Sequence, residues 1–190
     1  MRLIVLGASG FIGRRIVELA AETLGPGAVI AAVRNIQGHD AFPQGIEQRK
    51  FDAEAAESVL SACEDADRII NCVMGTRRAM VESCRGSSRM VASDPKRRLV
   101  HFSSIAVFGD IEGTVAEDAM PGHPADGYAA AKIEAERTVR SAPADSWTIL
   151  RPGLVHGPGS PLWTLRIARL IRSRRLGPLC LLYTSDAADE

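Results

Sequence analysis

The chain has 190 residues, of which 46% are hydrophobic and 24% charged, with 23 Lys and Arg against 23 Asp and Glu. That length suits one domain with a sizeable buried core, and the charge balance excludes a strongly basic nucleic-acid or membrane-surface binder. No apolar stretch approaches the ~20 residues of a membrane span, and no secretory signal is expected ahead of the first strand. In chain order the pattern predicts strands over 2–6, 28–33, 46–51, 68–73, 98–102 and 147–151. Helices are expected over 11–24, 54–62, 76–93, 126–140 and 161–175. Short apolar runs alternating with helical periodicity mean parallel strands joined by right-handed crossovers, an α/β doubly wound parallel sheet. Turn chemistry at Gly25-Pro26-Gly27, Asp94-Pro95 and Pro121-Gly122 breaks the elements without making a linker.

The first strand empties into Gly7-Ala-Ser9-Gly10-Phe11-Ile12-Gly13. Gly7 permits the sharp strand-to-helix turn, Gly10 lets backbone amides approach a pyrophosphate, and Gly13 allows close packing of the helix. The helix N-terminus adds amide donors and a partial positive charge. Gly7, Ser9, Gly10, Phe11, Ile12 and Gly13 are therefore the expected nucleotide cradle. Further on, Ser103-Ser104-Ile-Ala-Val-Phe-Gly109 follows the fifth strand, and Tyr128-Ala-Ala-Ala-Lys132 lies in the fourth helix. Residues four apart share a helix face, so Lys132 can hold its ammonium near the Tyr128 hydroxyl, where a cation favours phenolate. Cys63, Cys72 and Cys84 have no metal-type spacing and read as reduced thiols of a cytoplasmic protein. Neither His101 nor His156 has partners in the sequence that would make it a metal ligand, and no metal is expected.

On these motifs the sequence resembles the extended branch of the short-chain dehydrogenase/reductase superfamily, which contains NAD-dependent epimerases, dehydratases and related reductases. Asn71-Cys-Val-Met-Gly75, Glu117-Asp118 and Leu150-Arg-Pro-Gly-Leu-Val-His-Gly-Pro-Gly159 also resemble that branch. The resemblance implies a Rossmann fold and hydride transfer at a secondary alcohol or ketone carbon of a small-molecule substrate. It implies Tyr128 as general acid/base, Ser104 as hydrogen-bond donor to the reacting oxygen, and Lys132 on Tyr128 and the nicotinamide ribose. Asp52 resembles the aspartate that meets the adenine ring, and Cys72 would pack beside the cofactor. A homodimer is the family's usual assembly. Alternatives are a nucleotide-sugar epimerase or dehydratase that retains its nicotinamide, and a non-catalytic dinucleotide sensor or scaffold. The single helix between Gly75 and the fifth strand is shorter than in sugar-nucleotide epimerases.

An acid ending the second strand would hold the adenosine ribose hydroxyls and exclude a 2′-phosphate. Val29-Ile-Ala-Ala-Val-Arg34-Asn35 has none there. Arg34 offers a planar fork that suits phosphate, with Arg14 as a second cation, so NADP is preferred over NAD. The other reading of Arg34 is a solvated strand end.

The last expected helix opens with Ser160-Pro161 as cap and first turn, and Arg166, Arg169 and Arg172 give it one basic face. That face is either solvated or covered by further chain, with phosphate or nucleic-acid contact as the other reading. Residues 180–190, Cys-Leu-Leu-Tyr-Thr-Ser-Asp-Ala-Ala-Asp-Glu, resemble a translated sequencing adapter. The expectation is thus a nucleotide-binding domain over 1–179, net charge +3, followed by a non-native tail. The substrate-binding C-terminal part would be largely missing, and no useful turnover is expected of 1–190 itself.

Overall fold

A computed structural model describes residues 1–36, 38, 41–111 and 113–175. The end expected at Leu179 and the adapter-like segment 180–190 lie outside the described residues. The chain divides into two compact units, Met1–Gly153 and Leu154–Glu190.

The first unit is a six-stranded sheet built from β1 (Leu3–Leu6), β2 (Val29–Val33), β3 (Glu47–Lys50), β4 (Arg68–Asn71), β5 (Arg98–Phe102) and β6 (Trp147–Leu150). The order is β3-β2-β1-β4-β5-β6, and every pairing is parallel. This is the doubly wound sheet expected from the sequence. Because β1 is flanked by β2 and β4 in matching register, with Leu3 opposite both Val29 and Arg68, the chain reverses direction across the sheet at β1. In such sheets ligands bind outside the carboxyl ends of the strands at that switch point.

Alternate residues of the strands feed two cores. Ile4, Leu6, Ile30, Ala32, Ile69 and Leu99 face α2 (Ala56–Ala62), α3 (Arg77–Ala92) and α4 (Gly127–Arg140). Leu3, Val5, Val29, Ala31 and Val33 pack with Val17 and Ala20 of α1 (Phe11–Leu24) and with Phe42. The edge strand β3 is polar, Glu-Gln-Arg-Lys, and its charges discourage pairing with another chain. Arg49 of that strand donates to Asp65 at 2.7 Å and to Glu47, closing the amino end of the sheet with Arg2.

Helix starts explain most of the boundary differences. Thr76 and Asp126 accept from Ala79 N at 3.0 Å and Ala129 N at 2.7 Å, which caps α3 and α4. The expected start of α2 at residue 54 moves to Ala56. Asp52 Oδ1 there accepts from Glu54 N at 2.9 Å, a local turn that competes with the helix.

In the second unit the expected helix 161–175 is a wide five-residue turn, Pro161–Leu165, leading into α5 (Arg166–Arg172). Leu165 N bonds to Ser160 O at 2.8 Å, which sets the wide turn. Ser160 does not cap it, because its hydroxyl donates to Val155 O at 3.0 Å. Arg166, Arg169 and Arg172 are exposed. No helix among the described residues is long and apolar enough to cross a membrane.

Candidate functional site

The loop leaving β1 is shaped by close backbone approach. Gly7 has φ +79°, a conformation that side chains resist, and a Cβ on it would lie 3.0 Å from Cys72 O. Gly10 N donates to Gly7 O at 3.0 Å. At Gly13 a Cβ would sit 2.3 Å from Gly7 O and 2.9 Å from Ala8 Cα, so α1 lies directly against the loop. Unlike α3 and α4, α1 begins without a side-chain cap, its N-cap being Gly10. Its first amides, at Phe11, Ile12 and Gly13, are thus not engaged by a capping side chain.

Around this loop stand the other expected contacts. Arg34, at the carboxyl end of β2, is exposed and makes no side-chain hydrogen bond among the described residues. Arg14 is committed elsewhere: its Nη1 donates to Ala41 O at 2.9 Å and its guanidinium lies 5.5 Å from the centre of the Phe42 ring. Asp52 follows β3 and is exposed. Cys72 follows β4, its backbone N bonded to Leu6 O at 3.0 Å, and burial pushes its thiol up to about 12.

The same cause pushes Cys63 and Cys84 up to about 12. At pH 8 that leaves on the order of one thiolate in ten thousand. Iodoacetamide at pH 8 is therefore expected to leave Cys63, Cys72 and Cys84 unlabelled in the native protein and to label all three in urea. Peptide mapping reads the outcome, and fast native labelling of Cys72 would instead make it a nucleophile.

The second group gathers at the carboxyl end of β5. Ser104 Oγ accepts from Ala106 N at 3.2 Å at the head of a 3-10 turn, Ile105–Phe108. Lys132, 3% exposed in α4, donates from Nζ to Phe102 O at 2.7 Å and lies 6.0 Å from the centre of the Tyr128 ring. One ammonium thus joins the helix carrying Tyr128 to the strand end that leads into Ser104. Burial lowers the pKa of Lys132, while the nearby Cys84, Cys72 and Glu136 oppose that shift. Ser103, beside Ser104, has a buried hydroxyl without a hydrogen-bond partner among the described residues.

Two interactions were not legible in the sequence. His101, not expected to be a metal ligand, lies with Nδ1 3.4 Å from Cys84 Sγ, and burial together with Lys132 lowers its pKa to about 3. It is neutral at ordinary pH. Arg151 makes a fork on buried Glu136, with Nε to Oε1 at 2.9 Å and Nη2 to Oε2 at 2.8 Å. It also donates to Glu117 O at 3.2 Å and stands 4.7 Å from the centre of the Phe108 ring. The available signal was Glu136 four residues after Lys132, on the same helix face.

A groove of about 690 Å³ opens on the other flank of α4, lined by Arg77, His123, Ile133, Glu134 and Arg137 among others. None of the expected site residues lines it, and Arg77 is held there by Glu134 at 2.6 Å.

Comparison with known proteins adds the following. A family model described as NAD(P)H-binding matches residues 7–161. No curated protein sequence matches. Among solved structures, a candidate epimerase from Burkholderia cenocepacia J2315 is similar at 24% identity and TM-score 0.75, over 92% of this chain and 61% of that one. MoeE5 in complex with UDP-glucose and NAD is similar at 25% identity and TM-score 0.70, over 91% of this chain and 60% of that one. The UDP-glucose 4-epimerase of Thermus thermophilus, in complex with NAD, follows at 23% and 0.70, over 84% and 57%. The chain spans about 60% of the length of these structures.

Proposed function

The chain belongs to the NAD(P)H-binding family, and on that premise we propose that it is the nucleotide-binding part of an NAD(P)-dependent oxidoreductase of the epimerase/dehydratase type. The observation that carries this reading is Lys132, a buried ammonium with one acceptor among the described residues, Phe102 O, beside Tyr128 and next to the strand end that leads into Ser104. A buried charge is costly unless paired, so its remaining donors call for partners such as ribose hydroxyls and the tyrosine oxygen.

The residues present fit a dinucleotide. Gly7 and Gly13 keep a cradle that a Cβ would fill, and Ser9, Gly10, Phe11 and Ile12 complete it around the start of α1. Asp52 and Cys72 would flank the adenine and the nicotinamide respectively. A bound nicotinamide supplies the hydride donor or acceptor for a secondary alcohol or ketone carbon. Tyr128 gives or takes the proton of the carbinol oxygen, and the Ser104 hydroxyl holds that oxygen by a hydrogen bond. Lys132, 6.0 Å from the centre of the Tyr128 ring, would hold the tyrosine oxygen and the nicotinamide ribose by hydrogen bonds. The substrate is a small molecule bearing that carbinol or carbonyl.

NADP is the preferred cofactor, because Arg34 directly follows β2 with no acid beside it. The experiment is fluorescence titration of wild type and Arg34→Ala with NADPH and NADH. A charge-assisted contact to the 2′-phosphate contributes about 1.5–3 kcal/mol, so Arg34→Ala should weaken NADPH about 10- to 100-fold. NADH should change less than about twofold, since it lacks the group Arg34 would meet. Equal effects on both nucleotides would remove the NADP preference, and binding of neither by wild type would remove the cofactor reading.

A further inference from the structure

Arg151 is the most connected side chain near the proposed site, and the proposed reaction gives it no task. Its guanidinium reaches three segments at once: Glu136 on α4, the carbonyl of Glu117, and the Phe108 ring in the turn that Ser104 opens. Its neighbours in sequence brace the same turn. Leu150 O accepts from Ser103 N at 2.8 Å, and Pro152 O accepts from Ile105 N at 3.1 Å. Glu136, with a side chain only 1% exposed, lies one helical turn beyond Lys132 and two beyond Tyr128. An additional cation, Arg140, stands 3.9 Å from Glu136.

We infer that Arg151 is a positioning residue for Ser104, Tyr128 and Lys132, acting through Glu136: it neutralises that carboxylate, so that the Lys132 ammonium stays on Phe102 O instead of turning back along its own helix. The inference rests on the catalytic reading of those three residues. Two charges compete for Glu136, and geometry decides between them. Arg151 presents a bidentate fork, the arrangement best matched to a carboxylate, and it is itself fixed by Glu117 and Phe108. Without it, Glu136 would be a buried anion that attracts Lys132, one turn before it on the helix, as well as Arg140. Arg140 is largely exposed and meets Glu136 only at 3.9 Å, so it neutralises weakly.

The test reads Lys132 directly, and the composition makes it clean, because the chain has only three lysines, Lys50, Lys96 and Lys132. Protein labelled with 13C at lysine Cε is titrated by NMR without nucleotide, with Lys50 and Lys96 as internal references. The groups facing Lys132 are Tyr128 and Glu136 on α4, Cys84 on α3, Cys72 after β4 and His101 on β5. Arg151→Met removes a cation from the cluster while Glu136 remains, and should raise the Lys132 midpoint by about one pH unit. Glu136→Gln leaves Arg151 charged and should lower it. The double variant should return it to within a few tenths of a unit of wild type.

A merely structural role predicts shifts of one sign, accompanied by loss of fold, so circular dichroism is recorded on each variant. Opposite shifts that cancel in the double variant support the inference; shifts of the same sign, or none, overturn it. If Arg151→Met does not fold, Glu136→Gln and the double variant decide alone: a lowered midpoint restored by the second change supports, an unmoved one overturns. Nucleotide titration of wild type is read separately. Absence of binding removes the catalytic reading, and the positioning role with it, whatever the lysine shows.

Discussion

Gly13→Ala is expected to lower both the stability of the protein and its affinity for nicotinamide nucleotide. The added Cβ would sit 2.3 Å from Gly7 O and 2.9 Å from both Gly7 C and Ala8 Cα, and every one of these atoms is backbone. No side chain can swing away, so the loop or the helix must move. The loop has little freedom to do so. Gly7 is held at φ +79° against Cys72 O, and Ala8 N is bonded to Ala32 O at 3.1 Å. Overpacking of this kind costs about 1–3 kcal/mol, which in a chain of this size lowers Tm by roughly 2–12 °C. The same displacement breaks the cradle, so NADPH affinity should fall at least tenfold. Gly27→Ala is the control, since a Cβ there meets nothing within 4 Å. Thermal melting and fluorescence titration of the two variants read the outcome. Wild-type melting and binding in Gly13→Ala would show that the close approach of α1 to the loop is not what forms the cradle.

Tyr128→Phe, made in the whole enzyme of which we propose this chain is the nucleotide-binding part, is expected to remove turnover while leaving fold and nucleotide binding intact. The Tyr128 hydroxyl makes no hydrogen bond to protein among the described residues, so its deletion strands no buried partner. The ring that faces Lys132 at 6.0 Å is preserved. What disappears is the oxygen that would carry a proton to or from the carbinol, and loss of such a group typically costs 10²- to 10⁴-fold in rate. Absorbance at 340 nm, followed across a panel of ketones and secondary alcohols, measures the rate, while fluorescence titration checks that NADPH binding stays within about twofold. A variant that turns over within fivefold of wild type would dismiss Tyr128 as the proton-transfer group. It would favour a protein that binds nicotinamide without using this tyrosine.

The two variants probe features of different origin. The cradle was legible because it is local. Three glycines three apart, leaving an apolar strand, specify a tight turn within residues 7–13, and the structure adds the backbone contacts, with Cys72 O at Gly7 and Gly7 O at Gly13, that make these glycines necessary. The Tyr128–Lys132 pair was legible for the same reason, since four residues is one turn of helix. Strand and helix positions followed from periodicity, and errors fell at ends, where a side chain such as Asp52 bonds the backbone and delays a helix.

The partners of Arg14, His101 and Arg151 were not legible in the sequence, because each lies far along the chain. Arg14 was grouped with Arg34 by charge, but Ala41 O and the Phe42 ring, 27 and 28 residues later, hold it. Cys84 reaches His101 because α3 packs over β5, a neighbour relation that strand order creates. Arg151 finds Glu136 because β6 lies beside β5 and under α4.

By itself, then, the sequence determined the alternating α/β pattern, the glycine cradle, the Tyr128–Lys132 face and the absence of an acid at the end of β2. These are properties of residues within a turn or two of one another, where covalent geometry and hydrogen-bond period dictate the outcome. Only the tertiary structure decided which charges meet. It assigned Arg14 to Phe42, left Arg34 exposed, buried Glu136 under Arg151, and set Lys132 on the carbonyl of Phe102. The reason is that a buried charge takes whichever partner packing delivers once water is gone, and packing follows the order β3-β2-β1-β4-β5-β6 rather than distance along the chain.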